Sequence, residues 1–190
     1  MGEEQFKWKS MKETFEENYK AVKVPAKNKK GFKMEYVYVG AWMVWEGEAG
    51  ALKKEKIFIL NTCFLSLLLY AAAALQNAQV NAERMVAIPG LLSLAAAVFM
   101  LFGVFQFYFS KERLTEESFK DIAAKLRIAP VFYALLLFLC AGAALYKVIT
   151  GGFAGSGLLI AMCYFLAGLG PLSIRNHFRR LHFRKEESVK

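Results

Sequence analysis

Apolar positions follow two regimes along the chain. Up to residue 56 they are interleaved with charge. Beyond it they gather into four runs, 57–75, 86–109, 129–149 and 155–173, which carry one charged residue between them, Lys147. The runs are 19 to 24 residues long. At about 1.5 Å of rise per helical residue, that length crosses roughly 30 Å of hydrocarbon. The pattern predicts an all-α integral membrane protein, a four-transmembrane-helix bundle occupying residues 57–173. The connections at 76–85 and 150–154 are short, so spans adjacent in sequence are expected to be antiparallel neighbours in space. Ala71–Ala74 and the stretch 140–144 (CAGAA) form smooth patches that permit close helix approach. Pro89 is expected in the first turn of the second span and Pro130 at the opening of the third. Gly168, Gly170 and Pro171 are expected to bend or end the fourth.

The first 56 residues form a polar arm with three parts. Trp8, Met11, Phe15, Tyr19 and Val22 recur at steps of three and four, one face of an amphipathic helix over 5–24, with Lys12 and Glu16 as an i,i+4 pair. An isolated helix of that length is marginal in water, so its apolar face is expected to rest on lipid headgroups or on a partner. A basic linker follows, opened by Pro25. Lys20, Lys23, Lys27, Lys29, Lys30 and Lys33 would each gain about 1 kcal/mol beside anionic lipid. Residues 34–45, MEYVYVGAWMVW, are rich in strand formers and read as a short β-hairpin turning at Gly40-Ala41. All three tryptophans of the chain lie in this arm, which suits either the headgroup zone of a bilayer or a partner surface.

Two further amphipathic segments are expected outside the spans. In the connection 110–128, Thr115 reads as an N-cap, followed by Glu116 and Glu117 in the first turn, where the helix dipole favours them. Phe119, Ile122, Ala123 and Leu126 then make one apolar face, a helix suited to lie on the membrane surface. In the tail, 174–190, Ile174, Phe178 and Leu181 recur at helical spacing with Arg175, Arg179, Arg180 and Arg184 between them.

Composition and charge sharpen this picture. The chain is 56% hydrophobic, above the roughly 45–50% of soluble domains. Its net charge of +9 invites a nucleic-acid reading, but the distribution argues otherwise. Of 25 Lys and Arg, twelve precede residue 57, five lie between Lys111 and Arg127, and six follow from Arg175. With four spans these fall on one side, and the positive-inside rule then puts both termini and the central connection in the cytoplasm of a multi-pass cell-membrane protein. Met1 to Lys56 holds no apolar run of signal-peptide length, so the first span is expected to serve as the insertion signal.

The spans offer little for chemistry. They contain no Asp or Glu, which disfavours transport coupled through a buried carboxylate. Ser66, Tyr70, Ser93, Tyr133 and Tyr164 suit ordinary interhelical hydrogen bonds. Asn61 and Gln106, at the inner ends of the first two spans, are expected to face each other. Cys63, Cys140 and Cys163 lack the spacing of a disulfide framework or zinc site and read as small packing residues. His177 and His182 are five apart among arginines that would repel a cation, so no metal is expected. Arg175, His177, Arg179, Arg180 and Arg184 instead suggest a site for an anion or lipid headgroup. No catalytic set or nucleotide fingerprint appears, so neither enzymatic activity nor a cofactor is expected.

Three functions follow, in this order. The first is an accessory, regulatory or assembly subunit that contacts a partner protein or anionic inner-leaflet lipid through its cytoplasmic face. The second is a small homo-oligomeric channel or uncoupled transporter. The third is a lipid-modifying membrane enzyme.

Overall fold

The computed structural model describes residues 11–25, 31–48, 50–151 and 155–187. In chain order its elements are α1 (Met11–Asn18), β1 (Tyr19–Pro25), β2 (Phe32–Tyr38), β3 (Trp42–Trp45), α2 (Ala51–Ala74), α3 (Gln79–Ala82), α4 (Arg84–Phe109), β4 (Arg113–Thr115), α5 (Glu116–Gly151), α6 (Ser156–Arg179) and β5 (Phe183–Glu186). Trp8, Lys27, Lys29 and Lys30 lie outside the described residues. The fold is mainly helical, and α2, α4, α5 and α6 are long and apolar enough to cross a membrane. They overlie the four predicted runs. Small sheets accompany them, so the all-α expectation is corrected.

These four helices are apolar nearly all round, and shape rather than polarity selects the inward side. Ile59, Met100, Tyr133, Leu137 and Ile160 fill the interior with no exposure. Leu68, Leu91, Phe99 and Phe102 stay at least 60% exposed on the outside. That arrangement suits a hydrocarbon solvent.

Around the bundle, α5 packs along both α4 and α6, while α2 lies chiefly against α6 and only lightly against α4. The first two spans are thus not the close neighbours expected from sequence. The cause is local. A Cβ at Gly170 would sit 2.8 Å from the Ser66 Cβ, so the bare glycine lets α2 settle close to α6. Next to it, Pro171 has no N–H to offer the Ala167 carbonyl one turn back. Ser66 Oγ donates to that carbonyl at 2.7 Å. With its orphan acceptor satisfied from α2, α6 continues past Pro171 to Arg179 instead of ending there. Pro130 is likewise buried inside a single 36-residue α5. Because α4 begins at Arg84, Pro89 falls in its second turn, not its first.

At the far end of the bundle, Asn81 Nδ2 donates to the carbonyls of Ala73 at 2.8 Å and Gln76 at 3.0 Å. These bonds close the C-terminus of α2, where helical carbonyls otherwise lack donors. Lys147, the one charge within the predicted runs, pairs with Glu83 at 2.9 Å.

The end of the bundle at which α2 begins and α6 ends carries the sheets. β1 and β2 form an antiparallel ribbon from Tyr19 opposite Tyr38 to Pro25 opposite Phe32. The amphipathic helix expected over 5–24 is therefore corrected: helix stops at Asn18. From Tyr19 the sequence YKAVKVP brings in the strand formers Tyr19, Val22 and Val24 and ends at Pro25. The expected 34–45 hairpin is corrected as well. Its first half pairs back with β1, and its second half, β3, is the middle strand of a separate sheet ordered β4-β3-β5. Gly40-Ala41 links the two sheets, held by Tyr38 Oη, which donates to the Ala41 carbonyl at 2.8 Å.

The other two amphipathic segments also differ from expectation. The helix within 110–128 does not lie apart on a surface but is the first part of α5. Ile122, Ala123 and Leu126 are buried against the bundle. Thr115 does cap it, accepting the Ser118 N–H at 3.2 Å. The tail, expected to be one amphipathic helix, is α6 as far as Arg179 and then strand β5.

Candidate functional site

The richest chemistry lies at this charged end. The β4-β3-β5 sheet joins three segments that are separated in sequence by spans. Met43 is opposite both Leu114 and Lys185, and aromatic contacts fasten the sheet to the helices. Trp45 meets the Phe183 ring at 5.5 Å, and Phe119 lies between Phe183 at 4.9 Å and Phe178 at 6.4 Å. Arg113 covers the Trp42 ring at 4.5 Å. Below the sheet, Lys56 is nearly buried beside Phe107 and donates to the Ser110 carbonyl.

Ion pairs secure the same region. Glu116 receives Lys120 at 2.7 Å and Lys185 at 3.0 Å, thereby linking the start of α5 to β5. Hydrogen bonds from Lys120 and then Lys185 hold the Glu116 carboxyl below its ordinary pKa, and the bond to Glu116 raises that of Lys185. Arg184 bonds Glu186 at 2.8 Å and lies 3.9 Å from Glu46. Asn18 donates to Glu117 at 2.8 Å, attaching the β1–β2 ribbon to α5.

Within this frame the predicted anion set separates. Arg184 sits on β5 among carboxylates. His177 pairs with Glu55 of α2 and stacks on Phe58 with ring centroids 4.3 Å apart. Arg180 points outward, exposed at the end of α6. Only Arg175 and Arg179 remain together. They share one face of α6, and with Arg127 of α5 they line a cleft of about 480 Å³. Among the described residues no carboxylate lines this cleft. Among the described residues Arg175 Nε, which is buried, has no hydrogen-bond partner. Three guanidinium groups around one cleft repel each other, and an anion would relieve that repulsion.

Arg127 was missed from sequence because it was grouped with the central connection. The antiparallel turn between α5 and α6 held the signal: Arg127 lies about as far before that turn as Arg179 lies after it. The expected Asn61–Gln106 pair is corrected. Both residues are exposed, Gln106 accepts from Lys125 at 2.9 Å, and among the described residues no bond joins it to Asn61. Of the other polar side chains in the runs, Ser66, Tyr70 and Tyr164 tie one helix to another, whereas Ser93 Oγ donates to the Gly90 carbonyl of its own helix and Tyr133 Oη has no hydrogen-bond partner among the described residues. Tyr70 donates to the Gly90 carbonyl at 3.0 Å and Tyr164 to Asn81 at 3.4 Å. Cys63 and Cys140 are buried in the packed interior.

No family model matches the chain, and no curated protein or solved structure matches it either.

Proposed function

We propose that this protein is a membrane-embedded accessory, regulatory or assembly subunit. It acts through contacts of its charged end, at the cytoplasmic face, with a partner protein or anionic lipid. The orientation rests on the lysine and arginine asymmetry. The observation that carries the reading is the contrast between the two parts of the molecule. The spans hold no carboxylate and pack around a filled interior, whereas the arm, central connection and tail are tied into one folded platform. A structure that gathers most of its ion pairs at one end presents a surface for association.

The test is the composition of the complex extracted from native membranes in mild detergent. A second polypeptide at fixed ratio is the expected result. A complex whose mass is a pure multiple of 21.4 kDa would overturn it in favour of a homo-oligomeric channel, and solute flux in liposomes would then be measured.

A further inference from the structure

The arginine cleft lies at one end of the α5–α6 seam. From Arg127, Phe138 and Leu145 follow eleven and eighteen residues later, close to whole numbers of turns at about 3.6 residues per turn, so they share its side of α5. On α6, Gly168 and Ala161 stand in the same relation to Arg179. The two rows meet. A Cβ at Gly168 would lie 2.7 Å from the Phe138 ring, so the glycine provides the notch in which that ring edge sits. Beyond the notch the seam widens into an apolar trough of about 610 Å³, lined by Gly142 and Leu145 on one side and Ala161, Met162 and Phe165 on the other. Met162 and Phe165 are about half exposed there. The trough is almost wholly apolar, while the cleft at the charged end of the same seam is lined by arginine alone.

Charge and depth agree on one kind of occupant. Arg175 and Met162 are thirteen residues apart, about 20 Å along the helix, against roughly 15 Å for half of a hydrocarbon core. A molecule filling both parts has an anionic group at the level of the inner headgroups and a hydrocarbon chain reaching toward the midplane. A zwitterionic headgroup would bring its own ammonium against three guanidinium groups.

We propose that the α5–α6 seam is a binding site for one anionic phospholipid. Its phosphate is held by Arg127, Arg175 and Arg179, and one acyl chain lies in the trough between Phe138 and Met162. This rests on the part of the functional reading that assigns the charged end to the cytoplasmic face and its anionic lipid. The phosphate accepts charge-assisted hydrogen bonds from the guanidinium groups that line the cleft, and the chain covers apolar surface that the helices leave open.

The test is native mass spectrometry of the full-length protein, titrated separately with phosphatidylglycerol, phosphatidylcholine and glycerol 3-phosphate. The expected result is one retained phosphatidylglycerol, with phosphatidylcholine and the chainless phosphate each bound at least tenfold more weakly. Arg127→Gln and Arg175→Gln should each reduce phosphatidylglycerol retention about tenfold. Arg180→Gln and Arg184→Gln, outside the cleft, should not. Gly142→Leu should also reduce retention, because a side chain there meets nothing within 4 Å and projects into the trough. Unchanged helicity and thermal unfolding in detergent establish that each variant is folded. Equal losses from all four arginine variants would replace the site with diffuse surface attraction. Glycerol 3-phosphate binding as tightly as the lipid would eliminate the chain's role, and equal retention of phosphatidylcholine would eliminate the role of charge. Each of these outcomes overturns the lipid site without touching the accessory-subunit reading, which the composition of the native complex decides.

Discussion

The contact between α2 and α6 is predicted to contain a hydrogen bond whose value depends on a proline. Pro171 deprives the Ala167 carbonyl of its helical donor, and Ser66 Oγ replaces that donor from the neighbouring helix. Ser66→Ala removes the hydroxyl but keeps the Cβ that rests against Gly170, so packing is nearly unchanged. The carbonyl, on a buried residue, is then left unsatisfied. Leaving such a group unpaired costs about 1–3 kcal/mol, and interhelical hydrogen bonds in membranes average about 0.6 and reach about 1.7 kcal/mol. We therefore expect Ser66→Ala to cost about 1–1.5 kcal/mol. Pro171→Ala restores an N–H at position 171, which can bond the same carbonyl within α6. In that background Ser66→Ala should cost less than about 0.5 kcal/mol. The assay is reversible unfolding in mixed micelles followed by helicity, applied to all four members of the double-mutant cycle. An equal cost of Ser66→Ala with and without Pro171 would refute the argument that the serine compensates for the proline.

Further outcomes follow from other contacts. The Lys147–Glu83 pair is partly exposed, so Lys147→Met should cost no more than about 1 kcal/mol in the same unfolding assay, and adding Glu83→Gln should recover part of the loss. The Glu116–Lys185 tie should be intact at neutral pH and weaken at both extremes. The contribution of Glu116, whose folded pKa is lowered, is present above the ordinary carboxyl value of about 4.3 and is lost as pH falls through the folded value. That of Lys185, whose folded pKa is raised, is present below about 10.4 and is lost as pH rises through the folded value. The protection of β5 amides, taken relative to the unstructured exchange rate at the same pH, should fall in acid, and Glu116→Gln should give the lower protection already at pH 7; β5 protection unaffected by either change would exclude the tie. Cysteines placed at Asn77 and Gly151 should react with an impermeant maleimide from outside intact cells, and one at Glu48 only after permeabilisation. The reverse pattern would invert the orientation.

The four long helices were legible because an apolar run of span length has few alternative fates, and the Thr115 cap was legible because capping is local. The sheets were not, for a physical reason. A ladder between Trp42–Trp45, Arg113–Thr115 and Phe183–Glu186 joins segments separated by whole spans, and no short window of sequence contains both partners of a pair. Tyr19–Pro25 failed differently: apolar residues at steps of three and four continued across a boundary beyond which the backbone pairs with Phe32–Tyr38. The arginine cleft was half legible. Arg175 and Arg179 share a helix face and could be read together, whereas Arg127 joins them only once the register of two antiparallel helices is known. The Asn61–Gln106 expectation failed because it relied on sequence adjacency, while Gly170 and Ser66 draw α2 toward α6.

The order in which the strands of the three-stranded sheet are made has a consequence for biosynthesis. β3 is synthesised before any span, β4 after two of them, and β5 only after all four. The middle strand therefore stays without either partner through the first half of membrane insertion and gains its last one when residues 183–186 leave the ribosome. Closure of this clasp requires all three segments on the same side of the membrane, so a chain with one span misinserted cannot complete it. A chain truncated before Phe183 would leave one edge of β3, and the Trp45 ring beside it, open to the proteases and chaperones that inspect unfinished membrane proteins.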